Sequence, residues 1–201
     1  MFLSKLELNL RCPRVREELS DVYEMHRTIM RAFPDGIEGP GRTLFRIERK
    51  ESLVTVIVQS KKQPDWKKLN TPNDYFIRPP QSKTFDPTFY EGQQLIFRLM
   101  ANPTVKRDGK RWGLVREEEQ RQWIERKASQ GGFSIMSLRV VPQNVVEGEK
   151  KADKRGLTFT SITYEGTLSI VDPEKFRDTL ENGVGSGKGF GFGLLSVAPL
   201  H

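Results

Sequence analysis

The chain has 201 residues, of which 33 are Lys or Arg and 26 Asp or Glu, for a net charge of +7 with 36% hydrophobic and 29% charged residues. That length suits one sizeable domain or two small ones of about 90 to 110 residues, and the positive balance favours a polyanionic partner. A single cysteine, Cys12, excludes an internal disulfide and any CxxC metal site, and two histidines, His26 and His201, leave no His-rich zinc site. The longest aliphatic run, LVTVIV, is far short of the roughly 20 residues that span a bilayer, so no membrane partner is expected and the cytoplasm is the expected compartment.

The N-terminal FLSKLELNL alternates apolar and polar positions as a half-buried strand does, and has no signal-peptide layout. Pro13 opens a helical pattern, RVREELSDVYEMHRTIMRAF, that continues until PDG stops it. RTLFRIER and SLVTVIVQS read as a hairpin around Lys50 and Glu51, and residues 61–92 read as a long connection or a degraded element. QQLIFRLMANPTV begins a second series of strands, and Asp108-Gly109 inside KRDGKRWG is a strong two-residue hairpin signal. REEEQRQWIERKAS is then a helix, FSIMSLRVV a strand, VEGEKKADKRG a charged loop and LTFTSITYEGTLSIV one long strand. DPEKFRDTLENG is a helix capped by Asp172, and FGLLSVAP a final strand.

From Gln93 onward the order β-α-β-β-α-β is that of the ferredoxin-like motif, and the first half reads as a worn copy of it. The expected fold is therefore α+β, with two tandem ferredoxin-like (RRM-like) domains with antiparallel sheets, at 1–90 and 91–201. Four-stranded sheets of this kind are a common RNA platform, although the fold by itself assigns no function.

Three features carry chemistry. The first is GVGSGKGFGFGLLSV, which places Gly183, Gly185, Gly187, Gly189, Gly191 and Gly193 at every second position around one cation, Lys188. A phosphate-binding GxxxxGK[ST] fails twice here: Asn182 replaces the first glycine and Gly189 the Ser or Thr that would hold magnesium. The dinucleotide fingerprint GxGxxG fails at every register, and the chain after the stretch is too short for the helix either motif opens. What remains is a glycine-rich turn where a backbone or a phosphate can approach closely.

The second feature is His26, the one imidazole away from the C-terminal residue and the one side chain whose ordinary pKa, about 6.5, suits proton transfer near neutrality. On an ideal helix Tyr23 precedes it by about one turn, with Arg27 and Arg31 flanking it. A phenol, an imidazole and two guanidiniums suit cleavage of a phosphodiester. Val15, Leu19, Val22, His26, Ile29 and Phe33 also form one apolar stripe, so an unbroken helix would instead make His26 a core residue. The third feature is basic clustering: Lys106, Arg107, Lys110 and Arg111 surround the hairpin tip, and Lys150, Lys151, Lys154 and Arg155 crowd the charged loop. Together with Arg27, Arg31 and Lys188 they favour an RNA-binding surface.

YEMHRTIMRAFPDG, followed far downstream by GVGSGKGFGFGLLSVAP, resembles the CRISPR repeat-processing endoribonucleases of the Cascade CasE kind, of type I-E systems. Their signature is a Tyr and a His ahead of an RAFPD-like turn, with a glycine-rich loop before an FGxGLLS strand. The resemblance extends to NPTVKRDGKRWGLVREEEQRQWI and YEGTLSIVDPEKF, although 61–92 does not align by eye. It implies tandem ferredoxin-like domains, cleavage of precursor CRISPR RNA at the 3′ side of the repeat hairpin, retention of the mature crRNA, and assembly with other Cascade subunits, with a monomer when free. It implies Tyr23 and His26 as catalytic residues. It further implies that the hairpin and loop cations named above, with Arg27, Arg31 and Lys188, contact RNA.

No cofactor is expected, because RNA supplies its own nucleophile, the 2′-hydroxyl. General acid/base catalysis and charge stabilisation then suffice, giving a 2′,3′-cyclic phosphate and a 5′-hydroxyl. The alternative expectation is a non-catalytic RRM-like RNA-binding protein with His26 in its core.

Overall fold

The computed structural model describes residues 1–33, 41–50, 53–142, 146–149 and 156–200. The chain divides into two units. One comprises Met1–Asp86, Glu147–Leu157 and Gly189–Gly191, and the other Pro87–Val146, Thr158–Lys188 and Phe192–His201.

The first unit contains β1 (Phe2–Leu8), α1 (Pro13–Ser20), α2 (Val22–Met30), β2 (Thr43–Lys50), β3 (Leu53–Ser60) and β4 (Phe76–Thr84). Its sheet runs β2-β3-β1-β4, all antiparallel, which is the ferredoxin-like strand order. Leu6 and Leu8 of β1 face Val56 and Val54 of β3 in register, and with Val58 and Phe45 they form a buried floor. Val15, Met25 and Ile29 of the two helices complete this core.

Two differences from the sequence reading have physical causes. The helical pattern is not continuous: it breaks at Asp21, whose backbone is extended (φ −122°, ψ 94°) and whose carboxylate accepts a hydrogen bond from the Tyr23 amide. Ser and Asp compete with helical backbone bonds and favour caps, so Ser20-Asp21 ends one helix and starts another. In addition, 61–92 is more than a connection, because β4 pairs with β1 along the sheet edge. Pro79 and Pro80 hide this strand from a propensity reading, yet an edge strand tolerates them. A single 3₁₀ turn, Trp66–Lys68, stands where the motif's second helix would be.

The second unit contains β5 (Gln94–Ala101), β6 (Thr104–Arg107), β7 (Lys110–Gly113), α3 (Glu117–Gln130) and β8 (Phe133–Pro142). After the short strands β9 (Val146–Glu149) and β10 (Gly156–Phe159) it continues with β11 (Ile162–Ile170), α4 (Pro173–Asn182) and β12 (Leu195–Pro199). The sheet order β12-β5-β11-β8 repeats the ferredoxin-like pattern, again fully antiparallel. Leu95, Phe97, Leu99 and Ala101 alternate along β5 into the core, against Trp123 and Ile124 of α3 and Phe176 and Leu180 of α4.

The long strand expected over LTFTSITYEGTLSIV is two strands. β10 pairs with β9 in a separate two-stranded sheet, whereas β11 pairs with β5 and β8, so the chain changes partner without any local sequence signal. β9 and β10 likewise replace the two ends of the expected charged loop. Asp172 caps α4 as expected, accepting from the Lys175 amide at 3.1 Å, with Pro173 in the first turn.

Phe176 is fully buried and meets Phe89 and Phe133 edge-on, at ring-centre distances of 4.9 and 5.6 Å. Phe176→Ala should therefore destabilise the second unit by about 3–5 kcal/mol, and Phe176→Leu by distinctly less. Urea unfolding midpoints of the two variants measure both effects.

Candidate active site and nucleic-acid interface

Because α2 starts afresh at Asp21, its phase is set by its own packing. Val22, Met25, Thr28 and Ile29 are buried, while Tyr23 and His26 are only half-buried on another face. Their rings stack at 6.3 Å with an interplanar angle of 23°. Phe45 of β2 lies 6.1 Å from the His26 ring, and Phe190 lies 5.9 Å from the Tyr23 ring. A Cβ built on Gly189 would stand 3.9 Å from His26 Nε2, so the glycine leaves space beside that nitrogen.

Burial pushes the His26 pKa below its ordinary value, because the charged imidazolium is the form that loses hydration. The ring is therefore largely neutral at pH 7, the state in which it can accept a proton. Arg27 is exposed and its Nη1 pairs with both oxygens of Glu24 at 3.0 Å, and Arg31 is exposed at the C-cap of α2.

The glycine stretch contributes to both units. Gly183, Gly185, Gly187, Gly191 and Gly193 all have φ between 75° and 88°. At Gly185 a side chain would also strike the Trp123 ring at 2.9 Å, and at Gly193 the Val184 carbonyl at 2.7 Å. Alternating glycines therefore let the loop fold back on itself, where the Val184 amide donates to the Gly193 carbonyl. Within the second unit this loop borders an open groove of about 650 Å³. Lys106, Arg111, Lys127 and Lys188 line it, with the Thr104, Thr179 and Ser186 hydroxyls and, among the described residues, no carboxylate.

The adjoining hairpin carries unusual charge. Its turn has Asp108 and Gly109 at positive φ, the two-residue geometry expected from the sequence. Register places Lys106 opposite Arg111 and Arg107 opposite Lys110, so both terminal rungs juxtapose like charges, all exposed. Directly opposed like charges destabilise a strand pair, an arrangement that a bound polyanion relieves. Trp112, 57% exposed, pairs with Val105 on the face that also carries Arg107 and Lys110.

Lys150, Lys151, Lys154 and Arg155 lie outside the described residues. Sequence reasoning missed Phe45, Phe190, Lys127, Thr104, Thr179 and Ser186. Only Lys127 had a usable signal, since it follows Trp123 by four residues and so shares its helix face. Among the described residues no group of three or more His, Cys, Asp and Glu could hold a metal ion, and no helix is long and apolar enough to cross a membrane.

Comparison with known proteins places these features in a family. The sequence profile of a family described as "CRISPR associated protein" matches residues 1–199. The chain is 37% identical, over 99% of its own length and 100% of the relative's, to the CRISPR-associated endoribonuclease Cse3 of Thermus thermophilus. It belongs to the CRISPR-associated Cse3/CasE family. A structure of CRISPR endoribonuclease Cse3 bound to a 19-nucleotide RNA superposes with a TM-score of 0.89 at 37% identity, covering 99% of this chain and 100% of that one. A more distant family relative, the CRISPR system Cascade subunit CasE of Escherichia coli, is 28% identical over the full length of both chains. Family membership and the two ferredoxin-like sheets thus agree with the resemblance read from the Tyr-His and glycine-loop motifs.

The lowered His26 pKa has a consequence for stability. Between that pKa and about 6.5 the unfolded chain binds more protons than the folded one, so stability should rise with pH through this window and level off above it. Chemical denaturation at pH 5 and pH 7 should show the difference, and His26→Gln should shrink it.

Proposed function

We propose that the protein cleaves precursor CRISPR RNA at the 3′ side of the repeat hairpin without a metal, and retains the product. The observation that carries this reading is the stacked Tyr23–His26 pair, half-exposed on α2 beside Gly189, in a chain 37% identical to an endoribonuclease. The 2′-oxygen attacks the adjacent phosphorus, the bond to the 5′-oxygen breaks, and the products are a 2′,3′-cyclic phosphate and a 5′-hydroxyl. One proton leaves the nucleophile and another, supplied by water, reaches the leaving 5′-oxygen. Neutral His26 is suited to accept the first, and Tyr23 orients or assists.

Arg27, Arg31 or one of the loop lysines would stabilise charge on the phosphorane, and Lys188, with the rest of the cationic groove and the hairpin, would hold the RNA backbone. Lys150, Lys151, Lys154 and Arg155 are proposed as further RNA contacts. Assembly with other Cascade subunits is proposed from the relative that bears that name.

A labelled repeat hairpin in excess EDTA tests the chemistry. Wild type should cut it, His26→Ala should cut about 10² to 10⁴-fold more slowly while still binding, and a strand deoxy at the scissile 2′-position should survive. Binding without cleavage by wild type would make the chain a binding module. The rate should fall as pH drops through the His26 pKa, because the protonated ring cannot accept a proton. Replacing Lys106 and Arg111 with Ala should weaken binding and reduce the salt slope by about 1 for each phosphate left unneutralised, read from affinities at several salt concentrations.

A further inference from the structure

The face of α2 turned away from the candidate catalytic pair holds a buried polar cluster that general acid/base chemistry does not use. Glu18 of α1 is only 4% exposed. One of its oxygens accepts from Thr28 Oγ1 of α2 at 2.7 Å and from Arg14 Nε at 2.9 Å. The other accepts from the fully buried Tyr75 hydroxyl, which also lies 3.9 Å from Met25 Sδ of α2. Arg14 extends the cluster by donating to the Asn70 carbonyl at 2.7 Å and by lying over the Tyr75 ring at 5.9 Å.

These contacts have a direction. At about 100° per residue, Thr28 lies roughly 200° around the helix from His26, and Met25 the same from Tyr23. The cluster therefore grips the side of α2 opposite the site. It also spans the helix break: Glu18 precedes Asp21, Thr28 follows it, and no continuous helical backbone fixes α2 to α1. Buried ionic groups are poor sources of net stability but can select one arrangement among several of similar packing. Removing the Tyr75 hydroxyl takes the described partner from one buried Glu18 oxygen, and removing the Thr28 hydroxyl leaves the other oxygen with Arg14 alone and no bond to α2, so the helix has reason to shift.

We infer that Glu18, Thr28 and Tyr75 are positioning residues that lock the pose of α2 and thereby aim Tyr23 and His26. The inference rests on the proposed function, since it assigns these residues a role in that reaction. They touch neither substrate nor the reacting atoms.

The test uses full-length protein carrying Thr28→Val, Thr28→Ser or Tyr75→Phe, with a repeat hairpin and its non-cleavable 2′-deoxy form. Thr28→Val and Tyr75→Phe should bind the deoxy hairpin within about twofold of wild type. They should cleave the all-ribose strand at least about tenfold more slowly at saturation. Thr28→Ser, which keeps the hydroxyl, should restore most of the rate. The His26 ring resonances, which need separating only from those of His201, should titrate closer to the ordinary value in the two slow variants as the ring leaves its buried pose.

Unchanged rates and an unchanged His26 titration in both hydroxyl-deleting variants would overturn the inference. A rate loss that tracks a fall in melting temperature and is not restored by Thr28→Ser would also overturn it, leaving a merely structural cluster. If wild type does not cleave RNA, the proposed function fails, and the His26 titration alone still decides whether the cluster sets the pose of α2.

Discussion

The Asp21 cap is the constraint on which the candidate site depends. A single helix from Pro13 would carry His26 on the same apolar stripe as Val15, Leu19 and Ile29, and the imidazole would pack into the core. By accepting a hydrogen bond from the Tyr23 amide, Asp21 ends that helix and starts another with its own phase. Met25 then fills the core position, and His26 is left half-buried beside Tyr23. Partial burial favours the neutral form of the imidazole, the form that accepts a proton, while half exposure leaves the ring open to a ligand, which full burial would not.

The glycine stretch answers a second constraint. Gly189–Gly191 belongs to the first unit, near Tyr23, His26 and Phe45, while Gly183–Lys188 borders the cationic groove of the second. A side chain at Gly185 would strike Trp123 and one at Gly191 would crowd Phe45, and most of the glycines have φ values that other residues adopt only with strain. The repeated glycine pattern is thus a packing requirement, and its resemblance to nucleotide-binding motifs is superficial. The hairpin reflects a similar tension, with paired like charges that weaken it in isolation and favour a partner rich in phosphates.

Much of this was legible in the sequence where local chemistry decides structure. Asp108-Gly109 specified its turn, Asp172-Pro173 its helix start, and the apolar-polar alternation of FLSKLELNL its half-buried strand, β1. The legible part of the candidate site was its motif residues, Tyr23, His26 and the glycines. Features fixed by long-range pairing were hidden. β4 was masked by Pro79 and Pro80, and the division between β10 and β11 follows a change of strand partner that no residue announces. Phe45 reaches His26 only through the sheet, and Glu18 meets Tyr75 from 57 residues away, so neither could be placed by spacing.

The most direct test of the central claim is a structure of the protein with a repeat hairpin that is deoxy at the scissile 2′-position. The scissile phosphate should lie beside Gly189, with His26 within hydrogen-bonding reach of the 2′-carbon's missing oxygen and Tyr23 alongside. A scissile phosphate held elsewhere, with His26 still enclosed by Phe45 and remote from the RNA, would contradict the assignment of α2 as the catalytic helix.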